Sequence, residues 1–134
     1  MITVYYGASC LSCRKVMAWL DSHSVPYRKQ KIELITTQDL LRLLILSEEG
    51  MGELTKSYER STESVKIKLR LLEEMNFNEG LRYLKMNVEL LQTPLVISQK
   101  KYLVGYHSEN IRQFAPRYYR ISSTFLHRYI VRKK

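Results

Sequence analysis

Cys10 and Cys13, separated by Leu11 and Ser12, are the only cysteines in the chain. A thiolate attacks peroxides and disulfides, whereas the thiol does not. Two intervening residues let the second sulfur reach the first. An oxidised cysteine is then resolved to a disulfide instead of proceeding to sulfinic acid. Arg14 and Lys15 add positive charge beside the pair. Cys10 is the expected attacking sulfur, with Cys13 in the first helical turn as its resolving partner. A structural zinc site would need two more ligands at matching spacing. His23, His107 and His127 are scattered instead, so neither metal nor cofactor is expected. Two inert buried thiols are the remaining alternative, because free cysteine packs well as a small hydrophobe.

The neighbouring elements decide whether that chemistry is available. Ile2 to Tyr6 is β-rich and roughly alternating, and Gly7 ends it, which predicts a first strand. A small-residue loop from Gly7 to Cys13 follows. Val16, Met17, Trp19 and Leu20 then recur at helical spacing, with Ser9 or Ser12 as the expected cap. The cysteines therefore fall at a helix N-terminus, where free N–H groups and partial positive charge stabilise a thiolate.

Pro26 breaks that helix, and Tyr27 to Ile32 reads as a second strand. Thr36 and Thr37 precede a leucine-rich helix from Leu40 to Leu46, with Gly50 as its expected C-terminal stop. Residues 61–75 fit both a strand and a helix pattern, and helix propensity favours the latter. Asn78 is the expected cap of a helix carrying Leu81, Leu84 and Val88. Leu95 to Ser98 and Tyr102 to Val104 read as a hairpin. Ser108 is expected to cap a short helix that Pro116 closes. Ile121, Phe125 and Tyr129 predict a last amphipathic helix. The order implies one α/β domain over residues 1–134. Its sheet comes from about 1–32 and 89–120, around a helical insert of about 33–88.

Length and composition agree with one globular domain. The chain has 134 residues, 45% of them apolar, and ten tyrosines, which excludes a disordered chain. Two cysteines and five glycines exclude a disulfide scaffold and a collagen-like repeat. No apolar run reaches the roughly 18 residues of a membrane span. The opening residues lack a signal-peptide pattern, so no membrane contact and a reducing, cytoplasmic setting are expected. Lys plus Arg total 22 against 13 Asp plus Glu, a net charge of +9. The excess lies in the second half, and Arg117 to Lys134 carries six basic residues and no acid. This tail suits a polyanion or an acidic protein face, or simply keeps the protein soluble.

The stretch Tyr5-Tyr6-Gly7-Ala8-Ser9-Cys10-Leu11-Ser12-Cys13-Arg14-Lys15 resembles the Spx regulators of low-GC Gram-positive bacteria. So do Ala18-Trp19-Leu20, Ser47-Glu48-Glu49-Gly50, Val104-Gly105-Tyr106 and Ile111-Arg112-Gln113-Phe114-Ala115-Pro116-Arg117. The likeness runs from residue 1 to about 120. It implies a thioredoxin-like mixed sheet with a helical insertion, in the arsenate-reductase-like branch. It implies a cis peptide at Thr93-Pro94, facing the cysteine loop. It further implies a redox-sensing transcription regulator that binds the C-terminal domain of the RNA polymerase α subunit. A Cys10–Cys13 disulfide would switch it, and ClpXP would degrade it. Gly50 matches a family glycine at the polymerase contact, and Ile45 stands at that contact where the family often has arginine. Arg14, presented by the first helix, is a further candidate for the polymerase surface.

The departures mark a divergent member. Thr93 stands where the family usually has an arginine before the proline. Lys56 to Arg60 does not reproduce the family's Ser-Thr-Arg-Ser stretch. The alternative function is a thiol-dependent arsenate reductase. Cys10 would be its nucleophile, with Arg14 and a downstream arginine clamping the oxyanion. Thr93 argues against it. The basic tail, interleaved with Tyr118, Tyr119, Phe125 and Tyr129, suits at most salt-sensitive, nonspecific contact with promoter DNA.

Overall fold

The computed structural model describes residues 1–116. The basic tail and its expected helix lie outside the described residues.

Strands β1 (Ile2–Tyr6), β2 (Tyr27–Lys31), β3 (Leu95–Ile97) and β4 (Tyr102–Val104) form one sheet in the order β2-β1-β3-β4. β1 pairs parallel with β2 and antiparallel with β3, and β3 turns back onto β4. Helix α1 (Leu11–Ser22) makes the crossover between the parallel strands. Between β2 and β3 lie α2 (Thr37–Leu46), the short α3 (Met51–Leu54), α4 (Glu63–Glu73) and α5 (Phe77–Met86). A 3₁₀ turn, Asn110–Phe114, follows the hairpin. The sheet is the mixed α/β arrangement expected, and residues 63–73 are helical.

The two-residue alternation of the strands divides the core. Val4 and Val96 face Val16 and Leu20 of α1, together with Ile111 and Phe114. Tyr5, Leu95 and Ile97 face the opposite way, onto Leu40, Leu43, Leu72 and Leu84 of the helices after β2. Tyr5 is fully buried yet keeps its hydroxyl satisfied by donating to Asp39. Burial, reinforced by the hydrogen bond to Asp39, pushes its phenol up to about 12. Asp39 also pairs with Arg42 at 3.3 Å, and Arg42 donates to the Ser98 carbonyl at 2.7 Å. This chain of contacts ties α2 to the sheet.

Four expected caps move. The α1 cap is Cys10, not Ser9 or Ser12. Ser9 is at φ 51°, outside the extended region a cap adopts, whereas Cys10 is extended at φ −98°, ψ 108°. Ser12 already lies inside the helix. For α5 the cap is Asn76, two residues before Asn78. Asn76 and Glu79 exchange side-chain to backbone hydrogen bonds at 2.9 and 3.1 Å, a full capping box that fixes the start. The same helix ends at Met86, so Val88 falls in a separate 3₁₀ turn. Gly50 does not stop α2; Ser47 does, its hydroxyl bridging the Leu44 carbonyl and the Gly50 N–H. Ser108 caps nothing, because the Ile111 N–H is taken by the backbone carbonyl of His107 and the segment winds as 3₁₀.

Candidate thiol site

Cys10 sits at the junction where β1 becomes α1. Its sulfur accepts the Cys13 backbone N–H at 3.2 Å, so the helix is capped by a group that can ionise. Cys10 is half-buried and Cys13 is 1% exposed; both are free thiols. Across the gap lies Thr93. Its hydroxyl donates to the Cys10 sulfur at 3.5 Å, and the Cys10 thiol reaches the Thr93 carbonyl at 3.7 Å. The Thr93–Pro94 bond is cis, as expected.

Thr93 is held from two sides. The bridge Thr55–Leu91 and the bonds Lys56 N–H to Leu90 O and Gln92 N–H to Leu54 O, both 2.8 Å, secure the segment entering it. The Gly105 N–H donates to the Pro94 carbonyl at 2.9 Å and secures the segment leaving it. Gly7 completes the seat. A β-carbon there would lie 3.0 Å from the Thr93 hydroxyl oxygen, so the missing side chain lets Thr93 approach. Sequence reasoning read Gly7 only as a strand stop; nothing local in the sequence signals a partner 86 positions away.

The two sulfurs are driven apart electrically. Burial works to raise the Cys10 thiol, but hydrogen bonds from the Cys13 side chain, Thr93 and the backbone of Cys13 and Ser12 outweigh it. The thiol lies below its ordinary value. Burial, helped by the hydrogen bond to Cys10, pushes Cys13 up to about 11. The arrangement thus favours ionisation of Cys10 over that of the sheltered Cys13 thiol. Arg14 and Lys15 are exposed and are not among the leading causes of the Cys10 shift; Lys15 lies over the Tyr106 ring at 5.9 Å.

The structure therefore brings Cys10, Cys13, Thr93 and Pro94 together. It does not bring Ile45 or Gly50 into that group: among the described residues no hydrogen bond joins either to the cysteine loop. Ile45 is 69% exposed on α2. Gly50 opens α3 at φ 73°, ψ −140°, a region essentially closed to other residues. A β-carbon at Gly50 would meet nothing within 4 Å, so its requirement inside this chain is conformational, not steric. Among the described residues no group of three or more His, Cys, Asp or Glu side chains is placed to hold a metal.

A dithiol at the mouth of the first helix, faced by a cis-proline across a mixed sheet, defines a thioredoxin-like protein. Residues 5–114 match the ArsC family. The chain belongs to that family, in the branch that holds the Spx regulators. It is 34% identical to the global transcriptional regulator Spx of Enterococcus faecalis over 119 residues, 87% of this chain and 88% of that one. The solved structure of an ArsC family related protein from Bacteroides fragilis superposes with a TM-score of 0.69 at 23% identity, covering 84% of this chain and 96% of the other. A structure described as a possible arsenate reductase from Streptococcus mutans superposes at 0.67 and 22% identity, covering 81% and 92%. These structures establish the fold.

Proposed function

We propose that this chain is a thiol-sensing transcription regulator that contacts the C-terminal domain of the RNA polymerase α subunit and is switched by a Cys10–Cys13 disulfide. The observation that carries the reading is the geometry of the pair: the Cys10 sulfur accepts the Cys13 N–H at 3.2 Å and the Thr93 hydroxyl at 3.5 Å, with Cys13 buried one helical turn on. The lowering of Cys10 and the raising of Cys13 agree with it. Supporting it are relatives named as Spx regulators.

The chemistry runs in two steps. The Cys10 thiolate attacks one oxygen of a peroxide; the O–O bond breaks, hydroxide or alkoxide leaves, and Cys10 becomes a sulfenic acid. The Cys13 thiol then attacks the Cys10 sulfur, water leaves, and an S–S bond remains. The disulfide removes the negative charge that a Cys10 thiolate places at the cap of α1. That changes how the first turn, with exposed Leu11 and Arg14, meets a partner. Ile45 and Gly50 are assigned to the same partner surface. Degradation by ClpXP and salt-sensitive promoter contact through residues 117–134 belong to this reading; they rest on the resemblance and on charge.

Capture of the α C-terminal domain by reduced and by oxidised protein tests the proposal. A several-fold difference between the two supports it. Equal capture, or none in either state, overturns it.

The second reading, an arsenate reductase with Cys10 as nucleophile, is favoured by the ArsC family match. Thr93 weighs against it, because a neutral hydroxyl rather than a guanidinium faces the sulfur, so the oxyanion charge goes unmet there. Turnover of arsenate with glutathione and glutaredoxin would reverse the ranking.

A further inference from the structure

A second feature is a cleft of about 330 Å³ between α3, β4 and the 3₁₀ turn, whose lining includes neither cysteine. Glu53, Gln92, Tyr102, His107, Asn110 and Gln113 line it. The hydrogen bonds within it leave a definite residue of chemistry. Gln92 spends its amide nitrogen on two backbone carbonyls, Glu53 at 3.2 Å and Thr55 at 2.8 Å. Gln113 spends its own on the Tyr102 carbonyl at 3.0 Å. A carbonyl only accepts, so these bonds fix which end of each amide is nitrogen. Both side-chain oxygens are thereby left as acceptors with no donor among the described residues. Beside them the Glu53 carboxylate takes one proton, from the Tyr102 hydroxyl, at 2.9 and 3.1 Å to its two oxygens. A carboxylate has about four acceptor positions, so most of its capacity is unspent.

The cleft therefore offers the Glu53 carboxylate and two glutamine oxygens as unspent acceptors around one negative charge, with the mixed donor and acceptor amide of Asn110 beside them, on a chain whose net charge is +9. A ligand that satisfies it must bring several donors and a single positive charge. An ammonium has three donors around one point. A guanidinium has five in a rigid plane and spreads them over separated acceptors. One carboxylate is also a poor match for a divalent cation, which gathers several. We propose that this cleft binds the guanidinium group of an arginine side chain presented by a protein partner. The site shares no atom with the dithiol, so it stands whether or not the redox reading does.

The test is an NMR titration of the full, reduced chain, following the side-chain amide signals of Gln92 and Gln113. The probes are acetyl-Gly-Arg-Gly-amide, its lysine counterpart, and the citrulline analogue, which keeps the shape of arginine without its charge. The arginine peptide is expected to shift both signals saturably, and citrulline to bind at least about tenfold more weakly. Glu53→Gln is expected to weaken the arginine peptide by a similar factor, and Gln113→Leu, which leaves Glu53 intact, by several-fold. Shifts that stay linear to about 20 mM peptide, equal binding of citrulline, tighter binding of lysine or of calcium, or no effect of either substitution would overturn the proposal.

Discussion

At Cys10 and again at Gly50 the chain leaves a turn and enters a helix, yet the two junctions do opposite work. Before α1, Ser9 takes the left-handed backbone and hands an extended Cys10 to the helix, where a sulfur caps the Cys13 N–H. Before α3, Gly50 itself takes the unusual backbone, and no side chain caps the helix. The first junction has a second wall, Thr93, held by backbone bonds on both sides. The second opens onto space. At the α1 N-terminus the cap atom can ionise and a residue distant in sequence, Thr93 just before β3, supplies a further donor. The α3 N-terminus has no side-chain cap and remains a turn, available for contact and not for chemistry.

Substitution at the caps breaks the contrast most sharply. Cys10→Ser keeps a cap and removes the thiolate. Disulfide formation should vanish entirely, while urea unfolding stays within about 0.5 kcal/mol of the parent. Gly50→Ala should behave in the reverse way. Forcing a β-carbon into φ 73°, ψ −140° is expected to cost about 1–3 kcal/mol of stability, with the rate of Cys10 alkylation unchanged. If Gly50→Ala altered alkylation, the two junctions would be coupled.

The Thr93 wall supplies the next effect. Thr93→Val deletes a donor to the Cys10 sulfur, so the thiol should rise and the thiolate fraction at neutral pH should fall several-fold. Iodoacetamide alkylation as a function of pH reads this directly. Thr93→Ser should restore the parent profile. Gly7→Ala should give a partial version, because its methyl group presses on the Thr93 hydroxyl.

The smallest effect is on stability against pH. Cys13 is raised to about 11 in the folded chain, above the ordinary thiol value. The native state thus holds its proton longer than the unfolded one. That contribution is fully present below the unfolded value and is lost as pH climbs toward about 11. Cys13→Ala should unfold more easily overall yet lose stability less steeply across that window, measured by denaturant titration. Cys10, being lowered, has the opposite sign: its contribution is present above the unfolded value and lost as pH falls through the folded one.

Local chemistry was legible in the sequence where it depends on neighbours a few positions apart. The Cys10–Cys13 spacing, the Thr36-Thr37 start of α2 and the apolar run from Leu95 to Ile97 all belong to this class. The caps of α1 and α5 were misplaced by one or two residues because several polar residues compete at each start. Backbone geometry at Ser9, and the reciprocal pairing of Asn76 with Glu79, made the choice. What depends on the folded chain was not legible. Gly7 against Thr93, and the amide-lined cleft at Glu53, join residues tens of positions apart through strand pairing.

Mild peroxide treatment followed by mass spectrometry of the peptide holding Cys10 and Cys13 tests the central claim most directly. The account predicts a peptide two hydrogens lighter in the parent chain, and a trapped sulfenic acid on Cys10 in Cys13→Ser. Two unlinked, unmodified thiols after that treatment, or a sulfenic acid forming first on Cys13 in Cys10→Ser, would contradict it.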